Sequence, residues 1–212
     1  MKRVLIFTIG VFFLFALSCT PRVVRHVSKE DAISACLRAE PRFPLVARVG
    51  VNFKENGQDR GSVAGLLFVR DRRTFKIALL GPFGSQKGKV YFLSGNLVAY
   101  KDGEKVLDTV LPIDGLPEVS SYLERSDIVT EDKKVVLEGE VEGKRLFCRV
   151  DTEDLQFEGI TVHDRDSTLS LEGFRDGFYK RISINKGERR IEIKVKEVRH
   201  KDSLKDEIFR LP

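Results

Sequence analysis

The chain has 212 residues, of which 42% are hydrophobic and 33% are charged. Its 37 basic and 32 acidic residues alternate along the chain instead of clustering by sign, which argues against a nucleic-acid-binding protein. A chain of this length can bury a sizeable core within one domain.

The first residues have the pattern of an export signal. Lys2 and Arg3 precede Val4–Leu17, an uncharged run of fourteen residues that is too short to span a bilayer comfortably and suits a signal peptide. The following Ser18-Cys19 step resembles a bacterial lipobox, with Ala16 where leucine is more common. The resemblance implies cleavage before Cys19 and N-acyl diacylglycerol on that cysteine. The alternative is an ordinary secretory signal followed by a chance cysteine.

These features divide the chain into a leader (residues 1–18), an acylated cysteine with its tether (19–28) and one domain (29–212). Removal of the leader takes away Lys2 and Arg3 and leaves 35 basic and 32 acidic residues, so the net charge of the remaining chain is +3. Several acyl chains on Cys19 would anchor the protein stably. Thr20, in place of Asp, favours the outer membrane by analogy with enterobacterial sorting, with the protein on the periplasmic side.

A helix is predicted directly after the tether. Ser28 and Asp31 resemble a capping box, and Ile33, Cys36 and Leu37 fall on one helical face. The two cysteines after Cys19 are on this helix and on a predicted strand. We favour two buried free thiols, and a disulfide in an oxidising periplasm is the alternative.

From residue 49 onward the dominant period is two, with turn residues between short apolar segments. About a dozen such segments predict a mainly β fold, a curled antiparallel sheet or half-barrel that covers its own apolar face. The predicted strands lie near Val49–Phe53 and at Ser62–Arg70, Thr74–Leu80, Lys89–Leu93, Leu97–Lys101, Lys105–Val110, Lys133–Val141, Lys144–Val150, Leu155–Val162, Ser167–Glu172, Phe178–Ile184 and Arg190–Val198.

The stretch Leu111–Asp127 does not follow this alternating pattern. Pro117 suits a helix start, and Val119, Tyr122 and Leu123 share one helical face. We expect this short helix to bury its apolar face over the concave side of the sheet.

Three segments carry a resemblance to the LolA/LolB-type fold of periplasmic lipoprotein carriers and outer-membrane lipoprotein receptors. "TFKIALLGPFGSQKGKVYF" resembles the LolB segment that contains Pro-Leu-Gly-Ser, with Phe83 in the place of leucine. "LPIDGLPEVSSYL" resembles the LolB stretch in which a Leu-Pro or Met-Pro pair precedes a short helix, and "IEIKVKEVRHKDSLKDEIFRLP" is similar to the last strand and closing tail of related periplasmic lipoproteins.

In LolB the leucine of this motif protrudes into solvent and is needed to pass lipoproteins to the membrane. The resemblance therefore implies that Pro82, Phe83 and Gly84 form an apolar tip that contacts membrane or cargo. The alternative is that Phe83 folds back onto its own core, with Pro82 and Gly84 only shaping the turn.

The resemblance also implies an apolar cavity that takes acyl chains, each buried CH₂ group contributing about 0.8 kcal/mol. The alternative is a filled core. The predicted lining residues are Val49, Val51, Leu66, Phe68, Phe75, Ile77, Leu79, Tyr91, Leu93, Val119, Tyr122 and Leu123.

No catalytic constellation is visible in the sequence. His26, His163 and His200 are scattered, and the acidic turn near Asp151 lacks calcium-loop spacing. We therefore expect no enzyme activity, no metal and no cofactor besides the acyl groups on Cys19.

Two functions remain open. In the first, the anchored protein binds acyl chains of membrane lipids or of lipoprotein cargo, receives cargo from a LolA-like carrier and helps to deliver it to the outer membrane. In the second, it is an anchored assembly factor that holds an envelope protein and transfers no lipid.

Overall fold

A computed structural model describes residues 27–212 except positions 112 and 132, so the predicted leader and Cys19 lie outside the described residues. The described part contains thirteen strands, two α-helices and two short 3-10 turns, at Pro82–Gly84 and Asp206–Phe209. The helices are α1 (Lys29–Arg38) and α2 (Val119–Leu123), and the strands are β1 (Leu45–Glu55), β2 (Gln58–Asp71), β3 (Thr74–Leu80), β4 (Gln86–Leu93), β5 (Asn96–Lys101), β6 (Glu104–Val110), β7 (Asp127–Glu131), β8 (Lys134–Val141), β9 (Lys144–Asp151), β10 (Phe157–Asp164), β11 (Ser167–Arg175), β12 (Phe178–Lys186) and β13 (Arg189–His200).

All thirteen strands form one antiparallel sheet in the order β6-β5-β4-β3-β2-β1-β13-β12-β11-β10-β9-β8-β7. Strands adjacent in sequence pair with each other except β6 and β7, and the pairing of β1 with β13 joins the two halves. The sheet is not closed, because β6 and β7 remain at its edges. The predicted curled antiparallel sheet with a short helical insertion is confirmed.

Tight hairpins connect many of the strands, as the turn residues predict. In the Asp102-Gly103 turn both residues have a positive φ, of 51° and 91°, and in the Glu142-Gly143 turn the values are 52° and 75°. This conformation matches the twist of antiparallel strands. The register is continuous along β8 and β9, whereas β5 and β6 have an irregularity between Ala99 and Tyr100.

The apolar face of the sheet is covered in part by α1, which packs against β8, β9 and α2. Its predicted N-cap is present, since the Ser28 hydroxyl accepts a hydrogen bond from the Asp31 amide at 3.1 Å. The predicted buried face was partly wrong, because Ala32, Ala35 and Cys36 are buried whereas Leu37 is exposed. Two alanines in place of larger residues let the helix approach the sheet closely.

Cys36 and Cys148 form a disulfide that joins α1 to β9. The prediction of two free thiols was wrong. Both residues are fully buried, and their Cα atoms are 6.4 Å apart across a separation of 112 residues. The helix is therefore covalently fixed over the sheet.

The stretch after β6 also differs from its prediction. Helix α2 is only five residues long, and Asp127 begins β7, an edge strand that the sequence did not predict. The end of the chain returns to the outer face of the sheet, where the Phe209 ring lies 5.2 Å from the Arg70 guanidinium and Asp206 pairs with Arg70 at 3.0 Å.

We predict that reduction of the disulfide lowers the free energy of unfolding by about 2–4 kcal/mol, because the cross-link restricts the unfolded chain over a long loop. Urea titration with and without dithiothreitol measures the difference. The Cys36→Ala/Cys148→Ala variant is the control and should be insensitive to dithiothreitol. Equal stability of the oxidised and reduced protein would contradict this account.

Candidate functional site

The turn between β3 and β4 presents an exposed aromatic ring. Its backbone is closed by hydrogen bonds from the Gly81 amide to the Ser85 carbonyl oxygen (2.7 Å) and from the Gly84 amide to the Gly81 carbonyl oxygen (3.2 Å). The Ser85 hydroxyl also donates to the Pro82 carbonyl oxygen at 3.2 Å. Phe83 at the tip is fully exposed, with a relative accessibility of 108%.

Phe83 also has an unfavourable backbone conformation, with φ 60° and ψ 20°. This left-handed region is rare for a bulky side chain and costs on the order of 1 kcal/mol or more. An exposed ring contributes no buried area in return. The turn therefore holds Phe83 outward at a cost that folding alone does not explain, and its contact with membrane or cargo stays a prediction.

A small cavity with a volume of about 30 Å³ lies in the space that the curled sheet encloses. No ionisable side chain lines it, and its size allows on the order of one or two water molecules. The interior is thus nearly filled. The lining residues are Leu67, Val69, Phe75, Phe92, Leu111, Ile113, Gly115, Leu116, Leu169, Phe178, Ile182, Ile184 and Ile193.

The cavity is closed on one side by Leu111, Ile113, Asp114, Gly115 and Leu116, which we call the cover segment. Two backbone hydrogen bonds hold its ends at 2.8 Å, one from the Leu111 amide to the Gly95 carbonyl oxygen and one from the Leu116 amide to the Arg72 carbonyl oxygen. The Arg72 guanidinium donates to the next residue, at the Pro117 carbonyl oxygen, also at 2.8 Å. The cover segment, rather than α2, therefore lies against the cavity.

Ion pairs fix the middle of the cover segment. The Asp114 carboxylate accepts a hydrogen bond from Lys144 at 3.2 Å and lies 3.7 Å from the Arg73 guanidinium. Partial burial alone would raise the pKa of Asp114, but the Lys144 hydrogen bond and the charges of Lys144 and Arg73 outweigh it and lower that pKa. Asp114 is consequently held in its charged form.

A larger groove, which we call the mouth groove, has a volume of about 490 Å³, within the ~300–1,000 Å³ typical of ligand sites. It shares Leu111 and Ile184 with the cavity, so the two spaces adjoin. Its apolar floor is formed by Leu97, Leu107, Leu111, Ile184 and Ile191, and its charged rim by Glu55, Asp166, Lys186, Glu188 and Arg189.

The mouth groove and the Phe83 turn are separate features of the sheet. Phe83 lies in the turn between β3 and β4. The groove floor at Leu97 and Leu111 lies at the opposite end of these strands, next to the turn between β4 and β5. The groove therefore crosses the curled sheet from this end to the turns that contain Asn56 and Gly187.

Five predicted lining residues face the core. Phe75 lines the cavity, while Val49, Val51, Ile77 and Leu79 pack in the core around it. For these four, the structure corresponds to the alternative of a filled core.

The two predicted residues of β2 were assigned to the wrong face. Leu67 and Val69 are buried and line the cavity, so their neighbours Leu66 and Phe68 point to the outer face. Because all four positions are apolar, alternation could not choose between the two faces.

The same error affects β4. Phe92 lines the cavity and stacks on Phe75 with ring centroids 4.3 Å apart. The ring of Tyr91 instead lies 5.3 Å from the Lys76 ammonium on the outer face, and Leu93 follows two residues later on that face.

The helical residues Val119, Tyr122 and Leu123 are buried in the core, as predicted for the helix, but they do not line the cavity. The sequence also missed the contribution of the second half of the sheet, from Leu169, Ile182 and Ile193. Only the pairing of β1 with β13, which no local pattern encodes, brings these residues to the cavity.

Within the described residues, no three histidine, cysteine, aspartate or glutamate side chains approach closely enough to hold a metal ion. No helix of the described part is long and apolar enough to cross a membrane.

No protein-family model and no curated protein matches the chain. Among solved structures, a LolA superfamily protein from Nitrosomonas europaea is similar with a TM-score of 0.54 at 10% identity, over 87% of this chain and 98% of that one. A Vibrio parahaemolyticus structure, described as an outer membrane lipoprotein-sorting protein domain, has a TM-score of 0.54 at 10% identity over 86% and 97%. A DUF1329 family protein from Desulfovibrio piger has a TM-score of 0.51 at 11% identity over 86% and 95%. At these identities the similarity shows the fold alone.

We predict that Gly115→Ala destabilises the protein by about 1–3 kcal/mol, because the added Cβ would lie 2.4 Å from the Arg72 carbonyl oxygen. Gly50→Ala is the matched control, since no heavy atom lies within 4 Å of its added Cβ. Urea unfolding of both variants measures the effect. If Gly115→Ala were as stable as Gly50→Ala, the cover segment would not be closely packed.

Proposed function

We propose, from the LolA/LolB-type fold of this chain, that the protein binds acyl chains of lipids or lipoproteins and passes them to a bilayer. In this proposal Cys19 carries the acyl anchor that holds the protein at the periplasmic face of the outer membrane. The proposal assigns no catalytic residue and no cofactor. An acylated cargo from a LolA-like carrier is the proposed partner.

The adjoining cavity and mouth groove carry the proposal. Both are apolar along their contact at Leu111 and Ile184, and the groove opens to solvent beside a charged rim. An acyl chain laid along the groove floor would bury CH₂ groups at about 0.8 kcal/mol each, and its polar head would meet the rim. A rim pair, Arg189 with Glu55 at 3.2 Å, shows that both charge signs are available there.

The small cavity sets a condition on this binding. A space of about 30 Å³ cannot hold an acyl chain, so entry beyond the groove requires the cover segment to move. The segment is held by two backbone hydrogen bonds, two ion pairs of Asp114 and the buried side chains of Leu111, Ile113 and Leu116, without a strand ladder. Exposed ion pairs contribute about 0–1 kcal/mol each, so the main cost of displacing the segment is exposure of these three side chains, about 1.5–3 kcal/mol each unless an acyl chain replaces their contacts.

The Phe83 turn supports the second half of the proposal. A ring held outward in a costly conformation suits a site that must enter an apolar environment supplied from outside.

The nearly filled interior favours one alternative, an anchored assembly factor that holds an envelope protein and binds no lipid. The two functions differ in a direct measurement, because only the first requires acyl-chain binding by the isolated protein.

We predict that Leu107→Glu weakens binding of a fluorescent fatty acid at least about tenfold, because it places a charge on the groove floor. Val106→Glu is the matched control, since Val106 is the adjacent residue, is 59% exposed and does not line the groove. A fluorescence titration compares the two. Absence of fatty-acid binding by the unmodified protein would reject the acyl-binding function in favour of the assembly factor.

We predict that Phe83→Glu slows transfer of a bound fluorescent fatty acid to lipid vesicles about 10- to 100-fold, the loss expected when one phenyl group no longer enters the bilayer. Phe83→Leu should retain most of the rate. Both variants should keep the unfolding free energy within about 0.5 kcal/mol, because the ring is exposed. Equal transfer rates for the Glu and Leu variants would show that the tip does not contact the membrane.

A further inference from the structure

Three lysines of the β3–β4 hairpin, which we call the lysine patch, have no acidic partner. Lys76, Lys87 and Lys89 form no salt bridge with any residue in the described range. The hairpin they belong to ends in the Phe83 turn. Other lysines of the described residues, such as Lys194 and Lys196, also form no ion pair, and what distinguishes the lysine patch is that its hairpin carries the exposed Phe83 ring.

The fold places Lys76 and Lys89 on one face of the hairpin and Lys87 next to the turn. The Lys76 ammonium lies 5.3 Å from the centroid of the Tyr91 ring, and Tyr91 meets Tyr100 edge-on at 6.0 Å. Lys89 is opposite Tyr100 in the β4–β5 register, so it lies on the same outer face. The two tyrosines thus form an aromatic base between the ammonium groups of β3 and β4.

Lys87 reaches the turn itself. It is the extra residue at a bulge in β4, and its stem lies across Gly81, since a Cβ added to Gly81 would be 2.5 Å from the Lys87 Cγ. Its charged end is therefore carried on the same loop as Phe83.

The local charge balance is positive. Residues 74–110 contain five lysines and three carboxylates. One of these carboxylates, Asp108, forms an ion pair with Lys105 at 2.8 Å. Partial burial and then the charge of Lys89 lower the pKa of Lys76, which reflects like charges held near each other. An anion bound between them would remove this repulsion.

We propose that the lysine patch binds the anionic headgroups of a bilayer while Phe83 enters its apolar boundary. This inference rests on the proposed contact between Phe83 and a membrane, and it adds a preference for negatively charged lipid. Lysine stems can lie along the apolar boundary with their ammonium groups at the phosphates. Each lysine near an anionic surface strengthens binding about fivefold, so two of them contribute roughly 25-fold.

The test uses residues 20–212, which include the whole sheet, both helices and the disulfide but not the acylated cysteine. Co-sedimentation measures partition onto vesicles of phosphatidylcholine alone and of phosphatidylcholine with about 30% phosphatidylglycerol. The variant is Lys87→Gln/Lys89→Gln. The matched control is Lys194→Gln/Lys196→Gln, which changes net charge equally at exposed positions on β13, four strands and about 19 Å from β4.

We expect the unmodified protein to prefer the anionic vesicles, the patch variant to lose about 25-fold in partition, and the control to bind as the unmodified protein does. Salt at about 0.5 M should abolish the preference. Equal binding to both vesicle types, or an equal loss in the control variant, would overturn the inference.

Failure of this inference is distinguishable from failure of the proposed function. If the same protein binds a fluorescent fatty acid in solution but shows no preference for anionic vesicles, only the headgroup contact is rejected. If it binds neither the fatty acid nor vesicles of either kind, the acyl-binding function is rejected as well.

Discussion

The structure depends on one constraint, which is that a single antiparallel sheet has an apolar face with no second sheet to cover it. Thirteen strands curl around that face, and two helices with the cover segment supply the rest of the cover. Exposing the face to water would cost about 25 cal/mol for each Å² of apolar surface. The disulfide to α1 and the hydrogen bonds of the cover segment hold two parts of this cover in place.

This cover is not uniform. At α1 the packing is close, because two small alanines face the sheet and the Cys36–Cys148 bond fixes the helix. At the cover segment the side chains of Leu111, Ile113 and Leu116 are also buried, but neither a covalent bond nor a strand ladder fixes the backbone, and there the small cavity and the mouth groove adjoin. The fold thus combines one side that is fixed covalently with one side that is held by packing, hydrogen bonds and ion pairs, and the proposed entry of an acyl chain uses the second side.

Phe83 and the lysine patch are the surface features on which the proposed membrane contact depends. The exposed Phe83 ring has a costly positive φ and buries no area, and the ammonium groups of the lysine patch have no ion pair within the described residues. Features that oppose local preferences often mark functional positions, because something outside the protein offsets their cost. A bilayer would provide both an apolar phase for the ring and anionic groups for the lysines.

Much of the sheet could be predicted from the sequence, because turn pairs such as Asp102-Gly103 and the alternation of β13 have local physical causes. The faces of β2 and β4 could not be predicted. Leu66 to Val69 and Val90 to Leu93 are apolar at every position, so alternation does not identify the buried face. The disulfide and the cavity lining from β11–β13 depend on contacts between distant segments, for which no local pattern exists.

The candidate site likewise has one part that the sequence predicts and one part that it does not. The exposure of Phe83 followed a short motif, whereas the mouth groove joins turns that are more than a hundred residues apart in sequence. Spatial adjacency of this kind comes from the curvature of the sheet, and a single sequence contains no separate signal for it.

The central claim is that an acyl chain enters the interior between the sheet and the cover segment. A fatty acid with a nitroxide near its terminal methyl group tests this directly, by paramagnetic broadening of methyl resonances in the bound protein. The account predicts broadening of Ile182 and Ile193, which line the cavity. Broadening confined to outer-face residues such as Leu66, or none at all, would contradict it.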